Sequence, residues 1–150
     1  MSVKALKTKN VKQGDRQMKR AKKEVERIAA FLGLQQTWAI HVRIDDLRAD
    51  EHNPQRAANV QWPKNYREAT IVFDRTFLKE HDDASLERTV LHELLHLVCA
   101  QLDDAMQENI GVSSYMWWTY NDHREAVLDT ITNLMLLARD GGAGGIGVKP

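Results

Sequence analysis

The pattern between Leu86 and Val98 constrains this chain most. Leu86, Val90, Leu91, Leu94, Leu97 and Val98 recur at three- and four-residue steps, the spacing of one face of a helix. Asp82 and Asp83 stand ahead of the run as N-caps and no proline breaks it, so a helix is expected from there to about Asp104. Within it lie His92, Glu93 and His96. Polar groups withdrawn from water must be compensated, so a helix rarely holds two imidazoles and a carboxylate in such surroundings without using them. Any fold for this chain is built around a helix with chemistry on its apolar side.

The three residues form an HExxH pattern. Side chains four apart stack on one helix face, so His92 and His96 can grip one metal ion. Glu93 is turned about 100° from His92, which sets its carboxylate beside such an ion, placed to take a proton from water. In a chain with 6 His, shuffling alone gives this spacing with a probability on the order of one in a hundred, and the helical context lowers it. The competing reading is a pair of exposed or hydrogen-bonded histidines on an ordinary core helix.

A catalytic zinc takes three protein ligands and keeps one position for water. The metzincin extension needs Gly at position 99 and His at position 102, where this chain has Cys99 and Leu102. Downstream, His123-Arg124-Glu125-Ala126-Val127-Leu128-Asp129 opens a last helix, expected to be capped by Asn121-Asp122. Glu125 and Asp129 share a face, so one can ligate while the other orients a histidine. Glu125 also fits the N3 position of a capping box with Asp122, a rival use of the same carboxylate. The need for a third donor favours the ligand role, with His123, Asp103 and Asp104 as alternatives. Cys99, three residues after His96, reads as a packing residue.

The remaining segments supply the frame. Met18, Ala21, Val25, Ile28 and Leu32 mark an N-terminal helix from about Asp15, with Gly33 as its C-cap. Trp38, Ile40, Val42 and Ile44 alternate with polar or small residues as in a half-buried strand, and residues 45–56 read as a loop. Asn59-Val60-Gln61-Trp62, broken by Pro63, reads as an edge strand, and Ala69-Thr70-Ile71-Val72-Phe73 as a more buried one. The segment with Tyr115, Trp117, Trp118 and Tyr120 reads as an aromatic loop that closes a core or walls a pocket. In the last helix, Ala126, Val127, Ile131, Leu134, Met135 and Ala138 form the apolar face. His41, His52 and His81 have no partner visible in the sequence.

At 150 residues the chain suits a single α+β domain over 15–140, with a basic, flexible segment at 1–14 and a Gly-rich flexible tail at 141–150. Formal net charge is zero, yet residues 1–27 hold ten Lys and Arg against three acidic side chains, a net +7 that leaves −7 on the rest. Such a segment can touch nucleic acid, or form a solvated helix face that complements an acidic body. The lone Cys99 excludes an internal disulfide and a Cys-rich zinc module. With no run of 18 apolar residues and no apolar stretch after the N-terminal lysines, neither a membrane span nor a signal peptide is expected, and a cytoplasmic location follows.

These motifs resemble the gluzincins, the thermolysin-like branch of the zincin metallopeptidases. In that family HExxH is followed by a second helix bearing Glu-x-x-x-Asp, matched here by Glu125-Ala126-Val127-Leu128-Asp129. The extended run Thr89-Val90-Leu91-His92-Glu93-Leu94-Leu95-His96-Leu97-Val98 also fits. The likeness covers roughly residues 58–130, and the small size is similar to minimal gluzincins without a large C-terminal domain. It implies His92, His96 and Glu125 as ligands of one Zn2+ per chain, Glu93 as general base, and Asp129 as hydrogen-bond partner of His92. Asn59, Val60, Gln61 and Trp62 would be the edge strand to which a peptide substrate adds. Arg124 stands where the family often has Asn; His123, Tyr120 and Tyr115 could replace the transition-state histidine of the absent large domain. The implied fold has an N-terminal helix, a small twisted, mainly antiparallel sheet, an active-site helix and a C-terminal ligand-bearing helix.

The resulting expectation is peptide-bond hydrolysis by zinc-activated water, with a peptide or protein as substrate. Two alternatives stand beside it. One is a non-catalytic or latent zinc-binding interaction protein, against which Glu93 argues, since a structural site has no need of a base. The other is a nucleic-acid-associated protease resembling the SprT-like group, whose third ligand is a histidine, with residues 1–27 as the contact.

Overall fold

Strand β3 (Glu68–Asp74) organises the sheet. Its run Ala69-Thr70-Ile71-Val72-Phe73 lacks polar alternation, and Ala69, Ile71, Val72 and Phe73 are wholly buried, as suits a strand flanked on both edges. The structure, a computed structural model, describes the backbone of residues 3–47, 56–63, 67–110 and 114–142, and the side chains of these from residue 14 to 141. Strand β1 (Ala39–Asp45) pairs with β3 in parallel, from Ala39 opposite Glu68 to Asp45 opposite Asp74. Strand β2 (Ala58–Gln61) pairs antiparallel on the other edge, from Ala58 opposite Phe73 to Gln61 opposite Thr70.

The order β1-β3-β2 corrects the expectation of a mainly antiparallel sheet: the three strands form a mixed one. The chain reverses after β1 and again after β2, so β1 and β3 run the same way, and pairing them places the most apolar strand at the centre. β2 is an edge strand, as Pro63 implies, but it ends at Gln61, and half-buried Trp62 lies beyond it. Along β1 the expected alternation holds, with Ile40, Val42 and Ile44 less exposed than Ala39, His41 and Arg43. The loop expected over 45–56 lies mostly outside the described residues, as does His52.

The chain divides inside its third helix into two units, Met1–Leu94 and Leu95–Pro150. In the first, helix α1 (Val3–Phe31) starts well before the expected Asp15, since its early residues are mostly good helix formers without a proline. It buries Ala21, Val25, Ile28 and Ala29. Gly33 then takes the left-handed conformation, φ 71°, that suits a residue without Cβ. Helix α2 (Arg75–Glu80) was not expected. Its cap is the buried Asp74, which accepts from the Phe77 amide at 2.8 Å through Oδ1 and from the Leu47 amide at 3.1 Å through Oδ2. One carboxylate thus both starts α2 and fixes the chain leaving β1.

Some of the basic character of α1 is spent inside this unit. Arg20 donates to Asp83 at 2.6 Å and to the carbonyls of Leu78 and His81 at 3.2 and 3.0 Å, while Arg27 pairs with Glu24 and Glu87. Glu24 above all, then Glu87, holds the Arg27 guanidinium above its usual range against the opposing effect of burial. His41 lies 3.1 Å from Glu68, and His81 stacks on Phe77, so both have partners the sequence did not reveal. Helix α3 (Asp83–Ile110) enters this unit with Leu86, Val90, Leu91 and Leu94 buried.

In the second unit α3 continues to Ile110, beyond the expected end near Asp104, and buries Leu95, Leu97, Ala100 and Asp103. Helix α4 (Tyr115–Gly142) corrects two expectations. The aromatic segment forms its first turns rather than a loop, because the Ser114 hydroxyl accepts from the Trp117 amide at 3.0 Å and caps the helix there. Asn121 and Asp122 therefore lie within the helix, and Asp122 makes no capping box with Glu125. The buried side is carried by Leu128 and Thr132, whereas Val127, Ile131 and Leu134 stay exposed to 54, 36 and 60%. Residues 143–150 of the Gly-rich tail lie outside the described residues.

Thr132 is wholly buried, and its hydroxyl finds no hydrogen-bond partner among the described residues. Burying an unpaired hydroxyl is costly, and valine has nearly the same shape. Thr132→Val is therefore expected to stabilise the protein by about 1 kcal/mol, read as a higher urea midpoint at unchanged slope. Among the described residues, no helix is long and apolar enough to cross a membrane.

Candidate metal centre

His92 and His96 occupy successive turns of α3, a continuous helix at that point. His96 is buried, at 8% exposure, and His92 is half-buried. Glu93 is also 8% exposed, amid buried Leu91, Leu94, Leu95 and Leu97. The apolar positions fix this helix in place, and the polar residues are carried in with it.

Glu125 comes from α4. Its Oε2 lies 3.5 Å from His96 Nε2, and ligand atoms of His92, His96 and Glu125 all fall within 4.8 Å of one another. Zinc with ligand bonds of about 2.0–2.1 Å in a tetrahedron sets its donors about 3.4 Å apart. The His96–Glu125 spacing of 3.5 Å matches that separation. Two imidazoles and one carboxylate form a ligand set typical of catalytic zinc, so these residues fit the ion. The other carboxylate oxygen, Oε1, accepts from Arg124 Nη2 at 2.7 Å.

No family model, curated protein or solved structure matches this chain.

Asp129 is one turn after Glu125 on α4 and exposed. His123 is exposed, and Tyr115 is 84% exposed. Tyr120 instead donates its hydroxyl to Asp103 Oδ1 at 2.6 Å; burial first, and then Asp103, raises its pKa, so the phenol stays a proton donor. Asp103, an alternative ligand in the sequence, is wholly buried and bound through Oδ2 to Arg124 Nη1 at 2.7 Å. Asp104 is half-buried and, like Asp103, His123 and Cys99, is not in the ligand group. Burial, then Asp103, pushes the Cys99 thiol above its ordinary range. Asn59, Val60 and Gln61 are on edge strand β2.

The association of Asp103, Tyr120 and Arg124 escaped the sequence reading. Asp103 follows His96 by two helical turns and so shares its side of α3, the one local signal available. Burial then pulls the Arg124 guanidinium down, but Glu125 and Asp103 together hold it above its ordinary pKa.

Proposed function

We propose that this protein is a zinc-dependent metallopeptidase of the gluzincin type. The observation that carries the proposal is the gathering of ligand atoms from His92, His96 and Glu125 within 4.8 Å, next in sequence to the buried Glu93. His92, His96 and Glu125 hold the metal. When bound, zinc supplies Lewis acidity that polarises the scissile carbonyl and makes water acidic near neutral pH.

Glu93 accepts the proton of the attacking water and returns it to the leaving amine nitrogen. Glu93 is 8% exposed, so few waters compete for its carboxylate. On the outer strand β2, Val60 turns its backbone groups away from β3 and offers them to an extended peptide, while the alternate residues Asn59 and Gln61 spend theirs on β3.

The test is zinc content after exhaustive dialysis, combined with cleavage of a mixed fluorogenic peptide library. We expect about one zinc per chain, as one site of three protein ligands implies, and cleavage that chelation abolishes and added zinc restores. A protein that takes up no zinc on reconstitution overturns the proposal. Stoichiometric zinc without cleavage of any peptide or protein substrate overturns the peptidase assignment and leaves a zinc-binding protein.

A further inference from the structure

The guanidinium of Arg124 is held in an unusual way. Neighbouring residues on a helix point about 100° apart, so a contact between Arg124 and Glu125 needs the arginine to be steered back. Asp103 does the steering from α3 through the bond to Nη1, and Asn121, one turn earlier on α4, accepts from Nη2 at 2.7 Å. Asp103 is wholly buried, and the Arg124 side chain is 14% exposed. A carboxylate so placed requires a fixed cation and a second donor, supplied by Arg124 and Tyr120. The result is a guanidinium that cannot swing away, with Nη2 on Glu125 Oε1 while Oε2 faces His96.

We propose that Arg124 is a positioning residue for the metal ligand: anchored by Asp103 and Asn121, it engages Glu125 Oε1 so that Glu125 serves as a one-oxygen donor through Oε2. The inference rests on the metal site proposed above. A planar fork suits this task because it can hold Asp103 and Glu125 at once, which the point charge of lysine does not reproduce. Sharing the charge of Glu125 also leaves the bound ion more electrophilic.

Zinc affinity by chelator competition tests it, with the visible spectrum of the cobalt(II)-loaded protein as a second readout. Arg124→Gln is expected to lower zinc affinity about 10–100-fold, the usual cost of losing a group that orients a ligand. Its cobalt band is expected to weaken as Glu125 adds its second oxygen. Arg124→Lys is expected to recover part of the affinity. Because Arg124→Gln leaves Asp103 buried without its cation, the double variant Asp103→Leu/Arg124→Met, which removes the pair together, is the control for folding. It is expected to melt cooperatively and show the same loss. Wild-type affinity and spectrum in a folded double variant overturn the inference while the metal site stands, and tighter binding overturns it by making Arg124 a competitor of the ion. A wild-type protein without zinc overturns both readings.

Discussion

Glu93→Gln is expected to keep its zinc and lose turnover, with kcat down by about 10²–10⁴-fold, the range general acid–base catalysis contributes. Glutamine matches glutamate in size and fits the same buried site, where Glu93 is 8% exposed. It cannot accept the proton of the attacking water, and it cannot return one to the leaving amine. The ligand group consists of His92, His96 and Glu125, so the substitution leaves the metal donors in place. Zinc analysis and kcat on one peptide, measured on the same preparation, separate the two effects. Wild-type turnover would refute the role of Glu93 as base; loss of zinc alongside turnover would make it a ligand instead.

The second large effect is on metal binding. Zinc held by four protein ligands is worth about 10–16 kcal/mol at neutral pH, or roughly 2.5–4 kcal/mol per ligand, so losing one costs about 10²–10³-fold in affinity. His96→Ala is expected to show that loss. His96 is the more buried of the two histidines and the one 3.5 Å from Glu125, so its loss removes the donor that faces the third ligand. Chelator competition measures the affinity, and a thermal melt of the zinc-free form shows whether the fold survives the cavity. An unchanged affinity in a folded protein would remove His96 from the ligand set.

Much of the frame is legible in local pattern, because the forces that set it are local. Three- and four-residue apolar steps place α1 and α3, the alternation from Ile40 to Ile44 places β1, and Gly33 stops a helix where a left-handed residue is needed. The shared face of His92 and His96 is legible for the same reason, since a four-residue spacing on a helix is a geometric statement, whereas Glu125 comes from another helix and has no such local signature. What the sequence hides depends on contacts far apart. The start of α4 turns on the hydroxyl of Ser114 rather than on the stronger-looking Asn121-Asp122 pair, and aromatic residues have too little helix preference to reveal it. The short α2 depends on a single capping carboxylate. The apolar residues of α4 mislead, since Val127, Ile131 and Leu134 have the right period yet the buried side passes through Leu128 and Thr132. The bond between Asp103 and Arg124 joins two helices and has no periodic signature at all.

The parallel pairing of β1 with β3 has a consequence for the order in which the sheet can be assembled. β2 and β3 are close in sequence and can zip together as a hairpin, because closing a short loop costs little chain entropy. β1 has β3 as its neighbour in the sheet order, and β3 ends only at Asp74. During synthesis from the N-terminus, Ile40, Val42 and Ile44 therefore leave the ribosome before the strand they join, and the hydrogen bonds of β1 wait for β3.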